Sequence, residues 1–593
     1  MTTATQQQKF QADMAKVGAD SARLLQDFAA RNGLFDMDRL TEGHEGLQTI
    51  TKAFGQLTEK LMEDPQGLME MQLKLYQQNL QLWQTMAEKM LGHDVSDVVE
   101  PAKGDRRFKD SDWSEMVVFD FLKQSYLLTS NWLLETVQSK KGELAPKDAE
   151  KVEFYTRQFI DALAPTNFPF SNPEVLRKTV ETHGENLIKG LHNLLSDLEK
   201  GRITLTDESA FEVGRNLATT PGKVVFRNHL IELIQYEPQT EKVSERPLLI
   251  SPPWINKFYI LDMRPENSFV RYAVEDAGQT TFIISWKNPD ASYRDVSFED
   301  YMKDGILAAV DVVLKITGQK DMNIIGYCIG GTLLAATLAW MAKKKDTRIH
   351  SATFFTTLID FSESGELNLF IDEEQVRDLE QKMAKRGYLD GKEMAATFSM
   401  LRANDLIWSF VINNYLLGQE PLAFDLLYWN GDSTRMPYAM HSYYLRNMYM
   451  ENNLVKKDKL TLLGEKIDIS QIPQPIYMMS AESDHITPWH GCFKPLHKFK
   501  GGVTYALSSS GHVAGVANPP SKGKGYYLKA PVNGETNAEK WQAGATRHEG
   551  SWWTDWNAWI NTQGGKKVAA RKPGSPAYKP LGDAPGSYVK EGS

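Results

Sequence analysis

The sequence predicts an α/β fold, a mostly parallel sheet with helices on both faces, preceded by an all-helical N-terminal region. Three observations lead there. From about Val224 short apolar strands alternate with helical stretches; the residues before it have helix-compatible spacing and few strand signals; and one apolar strand runs through a glycine-bracketed turn straight into a helix.

The helical part comes first. From Phe10 to about Leu91 the chain is rich in Gln, Met, Leu and charge. Met69, Leu73, Tyr76, Leu80, Trp83, Ala87 and Met90 recur at spacings of four and three, which puts them on one helix face. Such a stripe must cover something: the chain's own helices, a dimer seam, a partner helix, or an apolar surface such as lipid or polymer. Residues 94–104 mix charge with Pro101 and Gly104 and read as a linker, and Trp113 to about Lys200 reads as further helices. The helical region is expected over 1–205 and the sheet-containing domain over 206–593.

In the second domain the strands are Pro247 to Ser251, Thr281 to Ser285, Met322 to Tyr327, Ser351 to Phe355, Pro475 to Ser480 and Val503 to Leu507, with a helical stretch from Tyr301 to Gly318. The connection between Thr357 and Pro475 is too long for a loop. It predicts a cap insertion over about 360–470, with Trp408, Tyr415, Phe424, Trp429 and Tyr438 as apolar cover, or else a plain accessory subdomain. The tail from Gly564, with Lys, Pro and Gly and few large apolar residues, is expected to be extended and solvated.

The turn after the third of these apolar runs carries the chemistry. Gly326-Tyr327-Cys328-Ile329-Gly330-Gly331 places a thiol where a nucleophile elbow holds its attacking atom, in a strained turn that tolerates no neighbouring Cβ. The following helix points unpaired N–H groups and its positive end at the sulfur, which favours thiolate. An inert core cysteine is the competing reading. A membrane span over the uncharged residues 323–342 is disfavoured by Gly330, Gly331, Asn323, Thr332 and Thr337.

An α/β-hydrolase carries nucleophile, acid and histidine in that chain order, the last two on loops after later strands. Asp484, after the strand ending at Ser480, is then the orienting carboxylate, with Glu482 as its rival, and His512, after the strand ending at Leu507, is the general base. His485 and Asn256 are candidates for a place behind these groups or against substrate. Two oxyanion donors are expected, Ile329 N–H and an N–H from the loop Pro252-Pro253-Trp254-Ile255-Asn256; Trp254 is the candidate there, or that loop is an ordinary rigid turn. Cys492 lacks the glycine bracket and reads as structural.

Composition narrows the function. At 593 residues and 41% apolar the chain can bury a large core and more than one domain. A formal charge of −9 gives no basic field for nucleic acid, and no zinc-like Cys/His spacing calls for a metal. The first eight residues lack the pattern of a secretion signal, and two cysteines make no disulfide framework, so a reducing cytoplasm is expected.

The elbow resembles the Gly-x-Cys-x-Gly-Gly box of the polyhydroxyalkanoate synthases. Asp105-Arg106-Arg107-Phe108, the run from Thr206 to Asn216, Pro252 to Lys257, Ser285-Trp286-Lys287-Asn288-Pro289-Asp290, Gly511-His512-Val513-Ala514-Gly515 and Gly550-Ser551-Trp552-Trp553 are similar to the same family, from about residue 105 onward. Length and the attached N-terminal region look like the class I synthases, which need no separate catalytic subunit. The resemblance implies a triad of Cys328, Asp484 and His512 and an acyltransferase that needs no cofactor. It further implies an (R)-3-hydroxyacyl-CoA substrate, commonly 3-hydroxybutyryl-CoA, released CoA, a growing polyester chain, a homodimer, and a place on polyester granules in the cytoplasm. A thioesterase or depolymerase with the same triad, and a noncatalytic granule protein, are the alternatives from other classes.

Overall fold

The computed structural model describes residues 44–592, so the helical expectation before His44 and the reading of the first eight residues lie outside it. The chain divides into two compact units, residues up to Leu205 together with Ala396–Leu422, and Thr206–Ala395 together with the residues from Ala423 onward.

The first unit is helical: α1 His44–Glu63, α2 Pro65–Met90, α3 Val117–Lys140, α4 Pro146–Ala162, α5 Pro173–Glu181 and α6 Glu185–Lys200. Proline opens α2 where its missing N–H costs nothing, and the Asp64 carboxylate caps it by accepting from Gly67 N at 2.9 Å. Buried Asp120 on α3 is offset by Lys89 and Lys123 at 2.6 and 2.9 Å. Ala396–Leu422 joins this unit although the sequence places it in the cap. Gly190 on α6 admits the Tyr415 carbonyl, which a Cβ would meet at 1.8 Å, and Asn186 Nδ2 and the Tyr415 hydroxyl bond Leu416 O and Asp197 at 2.8 and 2.7 Å. Trp408 and Tyr415 therefore belong to the helical unit. Most of the stripe on α2 is left open: Leu82 and Met86 are buried with Leu128, whereas Met69, Tyr76, Trp83 and Met90 are 62–76% exposed, Trp83 touching Phe121 with centroids 4.7 Å apart.

The second unit is built on an eleven-stranded sheet. In chain order its strands are β1 Gly222–Arg227, β2 Ile231–Tyr236, β3 Leu248–Ser251, β4 Thr281–Trp286, β5 Met322–Tyr327, β6 Ile349–Phe355, β7 Ile476–Ala481, β8 Val503–Ser508, β9 Tyr526–Pro531, β10 Thr546–Glu549 and β11 Gly582–Asp583. They lie side by side as β10-β9-β8-β7-β6-β5-β3-β4-β2-β1-β11. The centre, from β4 through β3, β5, β6 and β7 to β8, is wholly parallel, and the outer strands are antiparallel. All residues of β3, β4, β5 and β7 are buried, because core covers both sheet faces, which is why they read as mostly apolar runs without period-two alternation.

The tail corrects the sequence reading. Residues 567–569 pair with 242–244, β11 pairs with β1, and Val589 is buried. Backbone hydrogen bonds to a sheet edge need no apolar side chains, so composition was silent about them. Among the described residues no helix is long and apolar enough to cross a membrane; the uncharged run at 323–342 is β5 and the helix after it.

Candidate active site

Strand β5 ends at Tyr327, and helix α7, Ile329–Lys344, begins one residue later. Cys328 between them has φ 52° and ψ −124°, a conformation an L-residue adopts only when its surroundings impose it. Its N–H donates to Phe355 O at 2.9 Å, and its carbonyl accepts from Gly331 N and Thr332 N at 2.9 and 3.1 Å. The glycines permit close approach: a Cβ on Gly326 would lie 2.6 Å from Gly331 Cα, one on Gly330 2.5 Å from both the Ser251 and Pro252 carbonyls, and one on Gly331 2.1 Å from Thr357 Oγ1. The sulfur is thus left half-buried at the positive end of a helix whose first eleven residues are all buried.

Gly330 also draws the loop after β3 onto the helix N-terminus. Neither Ile329 N–H nor Trp254 N–H has a protein acceptor among the described residues. The Trp254 ring packs on Trp286 and Tyr301, with centroids 5.4 and 4.7 Å away.

His512 stands in the loop after β8, and Asp484 in the loop after β7; both are buried. His512 Nδ1 is 2.7 Å from Asp484 Oδ2. Asp484 Oδ1 accepts from Ile486 N and Thr487 N at 2.8 and 2.9 Å. Burial pulls the His512 pKa down, but the Asp484 carboxylate and the hydrogen-bonding Cys328 sulfur outweigh it and raise the imidazole to about 10. Burial acts to raise Asp484, yet His512 and the Thr487 donors hold it below the usual carboxylate range.

The other candidates separate. Glu482 is exposed and accepts from the Tyr526 hydroxyl. His485 is half-buried beside Asp484, its carbonyl near Gly365. The Asn256 amide donates to the Trp429 and Asn430 carbonyls at 3.3 and 3.4 Å, so it ties its loop to the insertion. Cys492 is buried, and burial pushes its thiol far up; it donates to Thr487 O at 3.5 Å.

The sequence reading missed three residues that meet this cluster. The Thr487 hydroxyl lies 2.7 Å from Asp484 Oδ2, 3.2 Å from His512 Nδ1 and 3.1 Å from Thr356 O. Its position three residues after the acid, in the same loop, was the available signal. Tyr444 and Tyr449, from the insertion, are buried; burial raises both phenols, and the Cys328 sulfur adds to that rise. They meet Phe361 and each other edge to face in one aromatic cluster, with the Phe361 and Tyr449 centroids 4.8 Å apart. Nothing local marks them among the insertion's many aromatics. Of the aromatics named for the cap, Trp429 is buried and donates its indole N–H to Lys257 O at 2.7 Å, Tyr438 packs under Arg294, and Phe424 is half-exposed.

The Gly550 to Trp553 stretch has a structural task. The Trp552 and Trp553 indoles donate to Gly515 O and Val516 O at 2.8 and 2.9 Å, and the Ser551 hydroxyl donates to Asn518 O. They hold the loop that presents His512.

The fold and this cluster define an enzyme of the α/β-hydrolase class with a cysteine at the elbow. The α/β hydrolase fold family matches residues 261–519, and the family described as Poly-beta-hydroxybutyrate polymerase (PhaC) N-terminus matches residues 104–273. The chain is 46% identical to a poly(3-hydroxyalkanoate) polymerase of Methylorubrum extorquens, over 93% of this chain and 91% of that one. It is 45% identical to the poly(3-hydroxyalkanoate) polymerase subunit PhaC of Rhizobium meliloti, over 92% and 89% of the two chains. With the corresponding subunit of Cupriavidus necator it is 40% identical, over 95% and 92%. The chain belongs to the poly(3-hydroxyalkanoate) polymerase family, and it is a synthase of the acyltransferase type.

Proposed function

We propose that this enzyme polymerises (R)-3-hydroxyacyl-CoA, chiefly 3-hydroxybutyryl-CoA, into polyester with release of CoA, through an acyl thioester on Cys328. The observation that carries the reading is Cys328 on a positive-φ elbow, its sulfur acting electrostatically on a buried His512 whose Nδ1 lies 2.7 Å from Asp484. With its pKa raised to about 10, His512 is an imidazolium at neutral pH beside the sulfur.

The Cys328 thiolate attacks the carbonyl carbon of the CoA thioester, and Ile329 N–H and Trp254 N–H receive the oxyanion. The carbon–sulfur bond to CoA breaks, and His512 gives its proton to the departing sulfur. One thioester replaces another, so the acyl group stays activated. Neutral His512 then takes the proton of a chain-end hydroxyl as its oxygen attacks the acyl carbon, the ester forms, and the Cys328 thiolate leaves. Asp484 holds the imidazole tautomer throughout. Water is the competing nucleophile, and the Phe361, Tyr444 and Tyr449 cluster supports a dry site.

In this reading residues 206–395 and 423–593 are the catalytic domain, with the parts of the 360–470 insertion that belong to it as its cap, and residues 1–205 together with Ala396–Leu422 are the helical region of a class I enzyme that works as a homodimer on cytoplasmic granules. The exposed face of α2 supports a surface role for that region. His485 is read as lying behind Asp484 and Asn256 as a brace of the oxyanion loop. The test follows free CoA from (R)-3-hydroxybutyryl-CoA while weighing insoluble polyester in the same tube. Matching amounts are expected; CoA with free 3-hydroxybutyrate and no polymer would make the enzyme a thioesterase.

A further inference from the structure

The stretch Trp286-Lys287-Asn288 takes no part in the chemistry above, yet it sits where three distant segments meet. The Trp286 indole donates to Pro252 O at 2.9 Å, which fixes the start of the loop carrying Trp254. That loop is bound in turn to residues 429–435. Thr434 N donates to Ile255 O at 3.0 Å, the Thr434 hydroxyl donates to Trp254 O, and the Trp429 indole donates to Lys257 O. Asp432 accepts from Lys257 Nζ and the Tyr259 hydroxyl at 2.7 and 2.9 Å. Bonds from so many consecutive residues make the two segments move together.

Asn288 fastens this pair to something else. Its buried side-chain amide accepts from Arg435 N at 2.9 Å through Oδ1 and donates from Nδ2 to Gly592 O at 2.7 Å. The tail segment it holds is itself built in. Buried Glu232 on β2 accepts from Ser587 N, Tyr588 N and the Ser587 hydroxyl at 2.9, 2.9 and 2.8 Å. The Tyr588 hydroxyl donates to Asn228 O at 2.6 Å, Lys287 pairs with Glu591, and Lys287 Nζ lies 4.6 Å over the Tyr588 ring.

We propose that residues 582–592 act as a strap which, through the positioning residue Asn288, sets where the Trp254 N–H points. The path runs from Gly592 O through the Asn288 amide to Arg435 N, along the peptide bond to Thr434, and from the Thr434 hydroxyl to the Trp254 carbonyl, all within the second unit. Donor placement matters because a misplacement of about 1 Å at a reacting group costs on the order of a hundredfold in rate. The inference rests on Trp254 N–H being the second oxyanion donor in the reaction proposed above.

The test compares the full-length enzyme with Asn288→Asp, with deletion of residues 588–593, and with both together. Asn288→Asp keeps an acceptor for Arg435 N and loses the donor to Gly592 O. Either change is expected to lower kcat about 10- to 100-fold with KM within about twofold, and the combination should be no worse than the stronger single change, since both cut one path. The rate at which iodoacetamide alkylates Cys328 should stay within about twofold, because the Cys328 and His512 contact is untouched. Unchanged kcat in either variant, losses that multiply, or alkylation that slows in step with kcat would each overturn the proposal. Alkylation of Cys328 that leaves the unaltered enzyme active would instead sink the thioester reading beneath it.

Discussion

Helices α7 and α2 are both rich in apolar residues and come to opposite ends. In α7 the first eleven residues are buried, because it packs against the parallel strands, with Cys328 at its N-terminus. In α2 only Leu82 and Met86 are buried, while Leu73, Tyr76, Leu80 and Trp83 are exposed. The difference teaches that an apolar face reports a need for cover and not what supplies it. A helix apolar all round must be enclosed by its own chain, whereas a one-sided stripe can wait for a partner or a surface.

The comparison breaks first at the N-terminus of α7. Cys328→Ser should reduce CoA release by about a thousandfold or more while the melting temperature barely moves, since an alkoxide is far harder to form than a thiolate. Near-normal turnover of the purified variant would sink the assignment of Cys328 as the nucleophile.

Asp484→Asn comes next, with a loss of about a hundredfold to ten-thousandfold in kcat. It also carries a pH signature. His512 is raised to about 10 in the folded enzyme, so its contribution to stability is whole below its unfolded value near 6.5 and is lost as pH rises through about 10. Asp484 is depressed, so its contribution is present above its unfolded value near 3.9 and is lost as pH falls through the folded value. The unaltered enzyme should therefore lose more stability to urea between pH 6.5 and pH 10 than Asp484→Asn does. Equal losses would mean that the carboxylate does not hold the imidazole.

Thr487→Val, which removes one hydroxyl shared by Asp484 and His512, should cost about tenfold in kcat and shift the alkaline limb of the pH profile, and Thr487→Ser should restore both. A Ser variant as impaired as Val would point to packing instead.

The smallest effect belongs to α2. Replacing Leu73 and Tyr76 by Gln should change stability by no more than about 0.5 kcal/mol per site and leave soluble turnover intact. Sedimentation with polyester granules, or the dimer fraction, should fall several-fold. Unchanged partitioning and oligomeric state would leave the stripe without a task.

Much of the site is legible in the amino-acid sequence because its signals are local or ordered. A glycine on each side of Cys328 announces a turn no other side chain fits, and chain order directs attention to the loops after β7 and β8, where Asp484 and His512 meet at 2.7 Å. The sequence favours Asp484 and keeps Glu482 as a rival in the same loop; in the fold Asp484 meets His512, while Glu482 accepts from Tyr526. The aromatic cover was misjudged in part: Trp408 and Tyr415 lie in the helical unit, and Tyr444 and Tyr449 are the residues near the sulfur. The tail was misjudged because composition counts apolar side chains, and what holds residues 582–592 is backbone pairing and a buried Glu232.

By itself, the sequence determined the periodicities, the glycine-bracketed elbow and the chain order of Cys328, Asp484 and His512, because each depends on residues adjacent in the chain or on a connectivity rule. Only the tertiary structure decided which carboxylate reaches His512, that Thr487 joins them, where Ala396–Leu422 packs, and that Asn288 links Gly592 to Arg435. Those contacts join residues tens to hundreds of positions apart or depend on which way a loop turns. Apart from the nearness of Thr487 to Asp484, chain neighbours carry no trace of them, since burial and hydrogen-bond satisfaction are settled only when the whole core closes.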